Sequence, residues 1–449
     1  MLDNLLYHRD HYASFNSFQT IINPMPSALI ILLGLLGLCP AIVTVGGPAL
    51  PYLILLLLAP GLILVSLKLG PGEAEHMSKI VSRPFLLAAA FPAVLMIIQI
   101  LPLPFLANPV WTSVSPGFRH GITGSISVDV GATSIALVRY LSAVGMVLLA
   151  AAVAVNRERA ESILIGATAA TVFISFACLL HDLFGLNVVV ALDEARDCAC
   201  LGVILSAACA ILVFERHETR RSNSSQARKK FSVSMGACLT AFVFCAGAVA
   251  ATRSGSLAFA AGSGLLTFIA VAAIRRWALG RLGAAAIGIT AAVVAAALVT
   301  VAAGDPDPRF AFVKKDPVSI ELTQRILSDA PFFGDGAASF TALLPVYQTS
   351  NLDSPTVEAV TSAAKLSIEM GKAMLWIAIL GTSAAVFILL RGASRRGRDS
   401  FYAAAAGACL VTLMNLAFVN VGLSGSAMAL LSAAIFGLGL IQSKGRVVS

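Results

Sequence analysis

The sequence predicts an all-α fold: a polytopic membrane bundle of about twelve transmembrane helices with one large polar loop of short interfacial helices. Three observations carry this reading. The chain is 58% hydrophobic and 12% charged, with a mean hydropathy of +0.88, whereas a soluble globule carries about 25% charged residues. Its apolar runs repeatedly reach the roughly 20 residues that a helix needs to cross a bilayer. Its basic residues gather between alternate runs, the bias that keeps Lys and Arg on the inner side of a membrane.

In order, the spans read as 27–45, 48–68, 84–107, 134–154, 162–180, 198–214, 232–252, 256–274, 282–303, 372–390, 401–420 and 426–441. They lack the alternation of a membrane barrel, and a helix satisfies its own backbone in lipid. The first run is long and follows a mixed segment with His8, Arg9, Asp10 and His11, so it reads as a retained helix rather than a cleaved signal. With both termini inside, the inner loops hold Lys68, Arg157, Arg216, Lys229, Arg275 and Arg395 among other basic residues. The net charge of +8 then follows from topology and calls for no nucleic-acid partner. Three parts result: 1–303 with spans one to nine, an outer loop at 304–371, and 372–449 with the last three spans and the tail. No internal repeat stands out.

Two shorter outer loops precede the large one. The first, 108–133, carries Trp111, and its alternation at Ile126-Ser-Val-Asp-Val130 suggests a turn or short strand. The second, 181–197, holds His181, Asp182, Glu194, Arg196 and Asp197. Spans seven and eight meet at Thr252-Arg253-Ser254-Gly255. In the large loop, Asp316-Pro317 reads as a helix start, and Val318, Leu322 and Ile326 share one face of a short helix. Pro331 to Gly336 forms a tight turn whose glycines take backbone angles closed to other residues. A second helix is expected over 337–347, and a third from Pro355 through Lys365 and Glu369 into span ten. The first two are too short to cross and should lie at the membrane boundary, apolar face down.

The order of these pieces is familiar. Pro331-x-x-Gly334-x-Gly336-x-x-x-Phe340, followed by Glu369-x-Gly371 before a span, resembles the O-antigen ligase and polysaccharide polymerase superfamily of bacterial inner-membrane glycosyltransferases. The Thr252–Gly255 junction is similar to the family's Ser-Arg-Gly junction, and Ile126–Asp129 with Thr133 looks like the stretch before one of its helices. The likeness covers about residues 126–390, by order of elements more than by identity. One departure matters. Ligases of the family carry a loop histidine where this chain has Val360, and the loop contains no histidine at all. Family polymerases do not depend on it, so the weight moves to polymerase.

The resemblance implies a polyprenyl-diphosphate-linked glycan as donor and another glycan or a lipid core as acceptor. It also implies a periplasmic position for the loop, and a polysaccharide flippase or chain-length regulator as partner. Departure of a diphosphate releases negative charge, and stabilising it is the main task. Arginine suits that task, with a permanent charge and a planar fork. Arg253, Arg139 within the fourth span, and Arg325 on the first loop helix are the candidates. Arg253 leads, its lesser alternative being a helix-end residue that contacts lipid phosphate; Arg139 could equally snorkel or pair with an acid, and Arg325 reads first as a solvated charge. Asp335 and Glu369 are candidate bases, although Asp is a common turn residue and Lys365 and Lys372 could hold Glu369 in surface ion pairs. Lys315, Gly334, Gly336 and Arg196 complete the expected substrate contacts. Cys198 and Cys200 lack the partners of a zinc site, and no Walker loop or dinucleotide fingerprint is found, so neither metal nor cofactor is expected. A ligase is the nearest alternative. A transporter or lipid-linked glycan flippase, the reading of another class, would place ionisable groups at midplane and show repeated halves.

Overall fold

The computed structural model describes residues 25–47, 49–111, 124–186, 188–219, 225–276, 317–347, 359–395 and 399–443. The expected ninth span (282–303), Lys315, the Asp316 helix cap and the mixed N-terminal segment lie outside the described residues. Within them are 15 α-helices and no strand. In chain order these are α1 (Met25–Val45), α2 (Leu50–Lys68), α3 (Pro71–Ile80), α4 (Arg83–Ile100), α5 (Val130–Val153), α6 (Arg157–Phe184), α7 (Leu192–Thr219), α8 (Ser225–Ala251) and α9 (Gly255–Arg276). They continue with α10 (Pro317–Asp329), α11 (Phe340–Tyr347), α12 (Ser362–Met370), α13 (Lys372–Arg395), α14 (Ser400–Val419) and α15 (Ser426–Ser443). Eleven of the helices are long and apolar enough to cross a membrane. They match eleven of the expected spans, and the molecule is an all-α polytopic membrane bundle.

The centre of the bundle is α7 and α15. α7 packs on α6, α8, α9 and α14, while α15 packs on α1, α5 and α14. Leu32, Leu36, Met146, Leu149, Leu201 and Leu431 are fully enclosed there. Large apolar side chains on the periphery, including Phe173 on α6, Val243 on α8 and Phe387 on α13, face outward, where lipid replaces water as the solvent. Lipid tails are as apolar as leucine, so small residues at the contacts do much of the joining. Ala403 to Ala406 on α14 are buried almost completely, and Gly264 on α9 sits against Thr412 and the Ala408 carbonyl of α14. At one end, ion pairs tie the helix termini: Arg157 to Asp399 at 2.9 Å, Arg275 to Glu215 at 3.4 Å, and Arg216 to Glu161.

At the opposite end sits a second small core. Leu322 and Ile326 of α10 meet Phe340, Leu343 and Leu344 of α11, Ile368 of α12 and Val421. This corrects the expectation that these short helices lie apolar face down on the membrane. Their stripes are buried against one another, because three short amphipathic helices shed more apolar surface together than apart. The stretch Ile126–Val130 is likewise no strand. Asp129 caps α5, its carboxylate accepting from the Ala132 amide at 2.9 Å.

The third loop helix also does not run into the next span. It is capped by Thr361, whose hydroxyl accepts from the Ala364 amide at 3.1 Å. It stops at Gly371, where φ is 89° and ψ is 154°. A side chain at Gly371 would run into the Phe332 carbonyl. Gly371→Ala is therefore expected to destabilise the protein by about 4 kcal/mol, the upper range for one substitution. Gly381→Ala, where nothing lies within 4 Å of the added carbon, should be tolerated. Thermal unfolding of the two purified variants in detergent checks this.

Candidate functional site

The site begins with a glutamine. Gln99, on the last turn of α4, is fully buried. Its amide nitrogen donates to the Phe333 carbonyl at 2.9 Å and the Glu369 carbonyl at 3.0 Å. Its side-chain oxygen accepts from the Ala337 amide at 3.1 Å. One residue thus joins the end of a span, the Pro331–Ala337 turn and α12. Further bonds hold the same turn: the Asp335 amide donates to the Ile368 carbonyl and the Gly336 amide to the Glu369 carbonyl, both at 3.0 Å. The Asp335 carbonyl accepts from the Val128 amide at 2.9 Å, and the Ala337 carbonyl from the Thr133 hydroxyl at 2.9 Å.

The two turn glycines owe their identity to this packing. Gly334 has φ 72° and Gly336 φ 109°. A side chain on the first would strike the Glu369 backbone, and one on the second would strike Ser127. They act by letting three backbones approach, and what they position is Glu369.

Glu369 faces a cavity of about 460 Å³ between α4 and α5 on one side and α13 and α14 on the other. Its charged lining is Arg139, Lys365 and Glu369. The remainder is mostly apolar, with Met96, Leu366, Leu375, Ile379, Leu413 and Met414 among it. On α13 and α14 the lining runs from Leu375 to Thr382 and from Leu410 to Phe418, roughly 10 Å of helix at 1.5 Å per residue. The cavity is an apolar groove with a charged head.

The charges at that head are unusually placed. Arg139 donates from Nη1 to the Ser424 carbonyl at 2.9 Å, while its Nε is buried with no hydrogen-bond partner. Glu369 is 8% exposed. Its carboxylate accepts from the Phe340 amide at 3.4 Å, and from Ala338, at the start of α11. Burial pushes the Glu369 carboxyl above the usual carboxylate range, partly opposed by Lys365, those amides and Arg139. It is therefore no surface ion pair, which corrects that alternative. Glu194 of α7 approaches Arg139 from elsewhere. Its carboxylate accepts from the Met428 amide at 2.9 Å and from Ala427, capping α15.

The other expected residues lie as follows. Arg253 has φ 50° at the α8–α9 junction and an exposed side chain, and it is not among the cavity-lining residues. Arg325 pairs with Glu321 at 2.6 Å on the exposed face of α10. Arg196 binds Asp182 at 3.0 Å, with Asp193 at 3.9 Å. His181 and Asp182 belong to the last turn of α6, not to a loop. Asp335 is 8% exposed rather than open to solvent, because its carboxylate turns inward to accept from Asn108 Nδ2 at 2.8 Å. Val360 is fully buried. Sequence reasoning missed Gln99 and the role of Glu194 and weighed Lys365 only as an ion-pair partner. A glutamine closing an apolar span was the available signal. Among the described residues no group of His, Cys, Asp or Glu could hold a metal.

Burial raises the Asp335 carboxyl, with the Asn108 amide partly opposing. The folded state thus holds that proton more tightly than the unfolded chain, so its contribution to stability is full at low pH and is lost as pH rises through the folded value. Asp335→Asn should keep the Asn108 bond and flatten the pH dependence of thermal unfolding. Asp335→Ala should lose the bond and about 1 kcal/mol throughout. Melting curves between about pH 4 and 7 separate the two. Comparison with known proteins finds no family model that matches the chain and no curated protein that matches it.

Proposed function

We propose that this protein is a transferase of polyprenyl-diphosphate-linked glycans at the periplasmic face of a bacterial inner membrane, working as a polymerase of oligosaccharide repeats. The observation that carries the reading is Arg139. A half-buried arginine whose Nε is buried with no partner stands at the head of an apolar groove, and burying a donor without a partner is costly. A phosphate oxygen would satisfy it, and a prenyl chain would fill the groove below.

In this reading Arg139 and Lys365 hold the diphosphate and stabilise the charge released as the glycosidic bond to phosphate breaks. Glu369 takes the proton of the attacking hydroxyl. Its raised proton affinity suits that role better than an exposed carboxylate would. The absence of a loop histidine, with buried Val360 in its expected place, favours the polymerase over the ligase. The exposed Arg253 is assigned a smaller part than Arg139.

Proteoliposomes supplied with a polyprenyl-diphosphate-linked repeat unit test this. The full chain should build a ladder of products. Arg139→Ala should slow transfer by about a hundredfold or more at unchanged protein level. Arg139→Lys should not restore it, since an ammonium lacks the planar fork. Arg253→Ala should have the weaker effect. Normal ladders from both Arg139 variants would defeat the assignment. In cells, deletion should leave single repeats attached to lipid core; long unattached glycan would indicate a ligase instead.

A further inference from the structure

We propose that the groove takes up its phosphate-bearing ligand together with one proton, and that Glu369 carries it. This rests on reading the groove as a site for a lipid-linked phosphate.

Charge balance at the head of the groove decides which ligand state enters. Two cations, Arg139 and Lys365, and one carboxylate, Glu369, line the cavity. A second carboxylate, Glu194, acts on Arg139 from α7. None of these four makes a direct ion pair with another among the described residues. With all of them ionised the head of the groove has no net charge. An anion entering it gains attraction to two cations and meets repulsion from the carboxylate that shares the lining. Beside a mostly apolar lining that repulsion is screened less than in bulk water. A proton on Glu369 removes it and leaves the head with one net positive charge.

Glu369 fits the role and Glu194 does not. Glu369 lines the cavity, whereas Glu194 caps α15 and is not among the lining residues. One Glu369 oxygen accepts from the Phe340 amide. A protonated carboxyl could keep that bond and donate the other way to a phosphate oxygen. Burial already favours the neutral form. The groups facing Glu369 are Lys365 on its own helix, Arg139 from α5, and the amides that open α11. The Asp335 carboxylate nearby is engaged by Asn108, and the Tyr140 hydroxyl of the lining donates to the Ala89 carbonyl at 2.7 Å. The same arrangement links uptake to turnover. As the glycosidic bond to phosphate breaks, the Glu369 proton would pass to the departing diphosphate oxygen, leaving the carboxylate free to take the proton of the acceptor hydroxyl.

The test uses the purified full chain in neutral detergent and dihexadecyl phosphate, a diester whose single charge stays constant from about pH 5 to 8. Calorimetry in two buffers of different ionisation heat counts protons directly. We expect uptake approaching one proton per ligand, and affinity falling by up to about tenfold per pH unit as Glu369 ionises. Glu369→Gln should bind at every pH with no proton uptake, while Glu194→Gln should keep the wild-type slope. Binding without proton uptake by the wild type, or uptake that persists in Glu369→Gln, would overturn the inference and leave the lipid-phosphate reading standing. No binding at any pH would remove that reading itself. Should Glu369→Gln fail to fold, the wild-type proton count and the Glu194→Gln slope still decide.

Discussion

Backbone that leaves the helix inside a membrane protein must find its hydrogen bonds without help from water. The end of this bundle that holds α10 to α12 is built around that requirement. Four irregular stretches meet there: the segment before α5, the Pro331–Ala338 turn, the lead into α12, and the turn between α14 and α15. Side chains supply the missing partners. Gln99 serves the Pro331–Ala338 turn and α12, Thr133 serves Ala337, and Asn420 donates to Asp197 at 2.8 Å while its carbonyl accepts from the Ser362 amide at 2.9 Å. Without this lattice of side-chain donors and acceptors, only apolar contacts such as those of Ile368 and Met370 would hold α12 over the groove.

The same requirement creates the electrostatics. Glu369 and Glu194 each cap the start of a helix, α11 and α15, where unpaired amides and the helix dipole favour a carboxylate. Both caps act on Arg139. A cation there is balanced but not saturated, since it has carboxylates nearby, a carbonyl in contact at Ser424, and one donor with no partner. Structural needs of three separate helices thereby converge on one residue suited to receiving an anion.

Legibility differed sharply between these levels. The spans were legible because each is a continuous apolar run, and a run of that length has one stable form in lipid. The Gly334, Gly336 and Gly371 positions stood out as punctuation, and two of the three were tied to substrate, whereas all three serve close backbone approach. The apolar stripe of α10 was visible at Leu322 and Ile326, but a stripe does not say what covers it; protein covers it here, not lipid. Among the arginines, the sequence put Arg253 ahead of Arg139, and Arg139 ahead of Arg325. Only contacts across hundreds of residues separated a groove-lining guanidinium from an exposed junction and a surface pair.

Hydrophobic run length, a local property, determined by itself that this chain is a helical membrane bundle and where nearly all its crossings fall. The tertiary structure alone decided which polar residues come together around the groove. Gln99, Arg139, Glu194 and Glu369 come from four helices, and their meeting depends on how those helices pack. Packing sums many small contacts between residues far apart in the chain, so no local pattern encodes it.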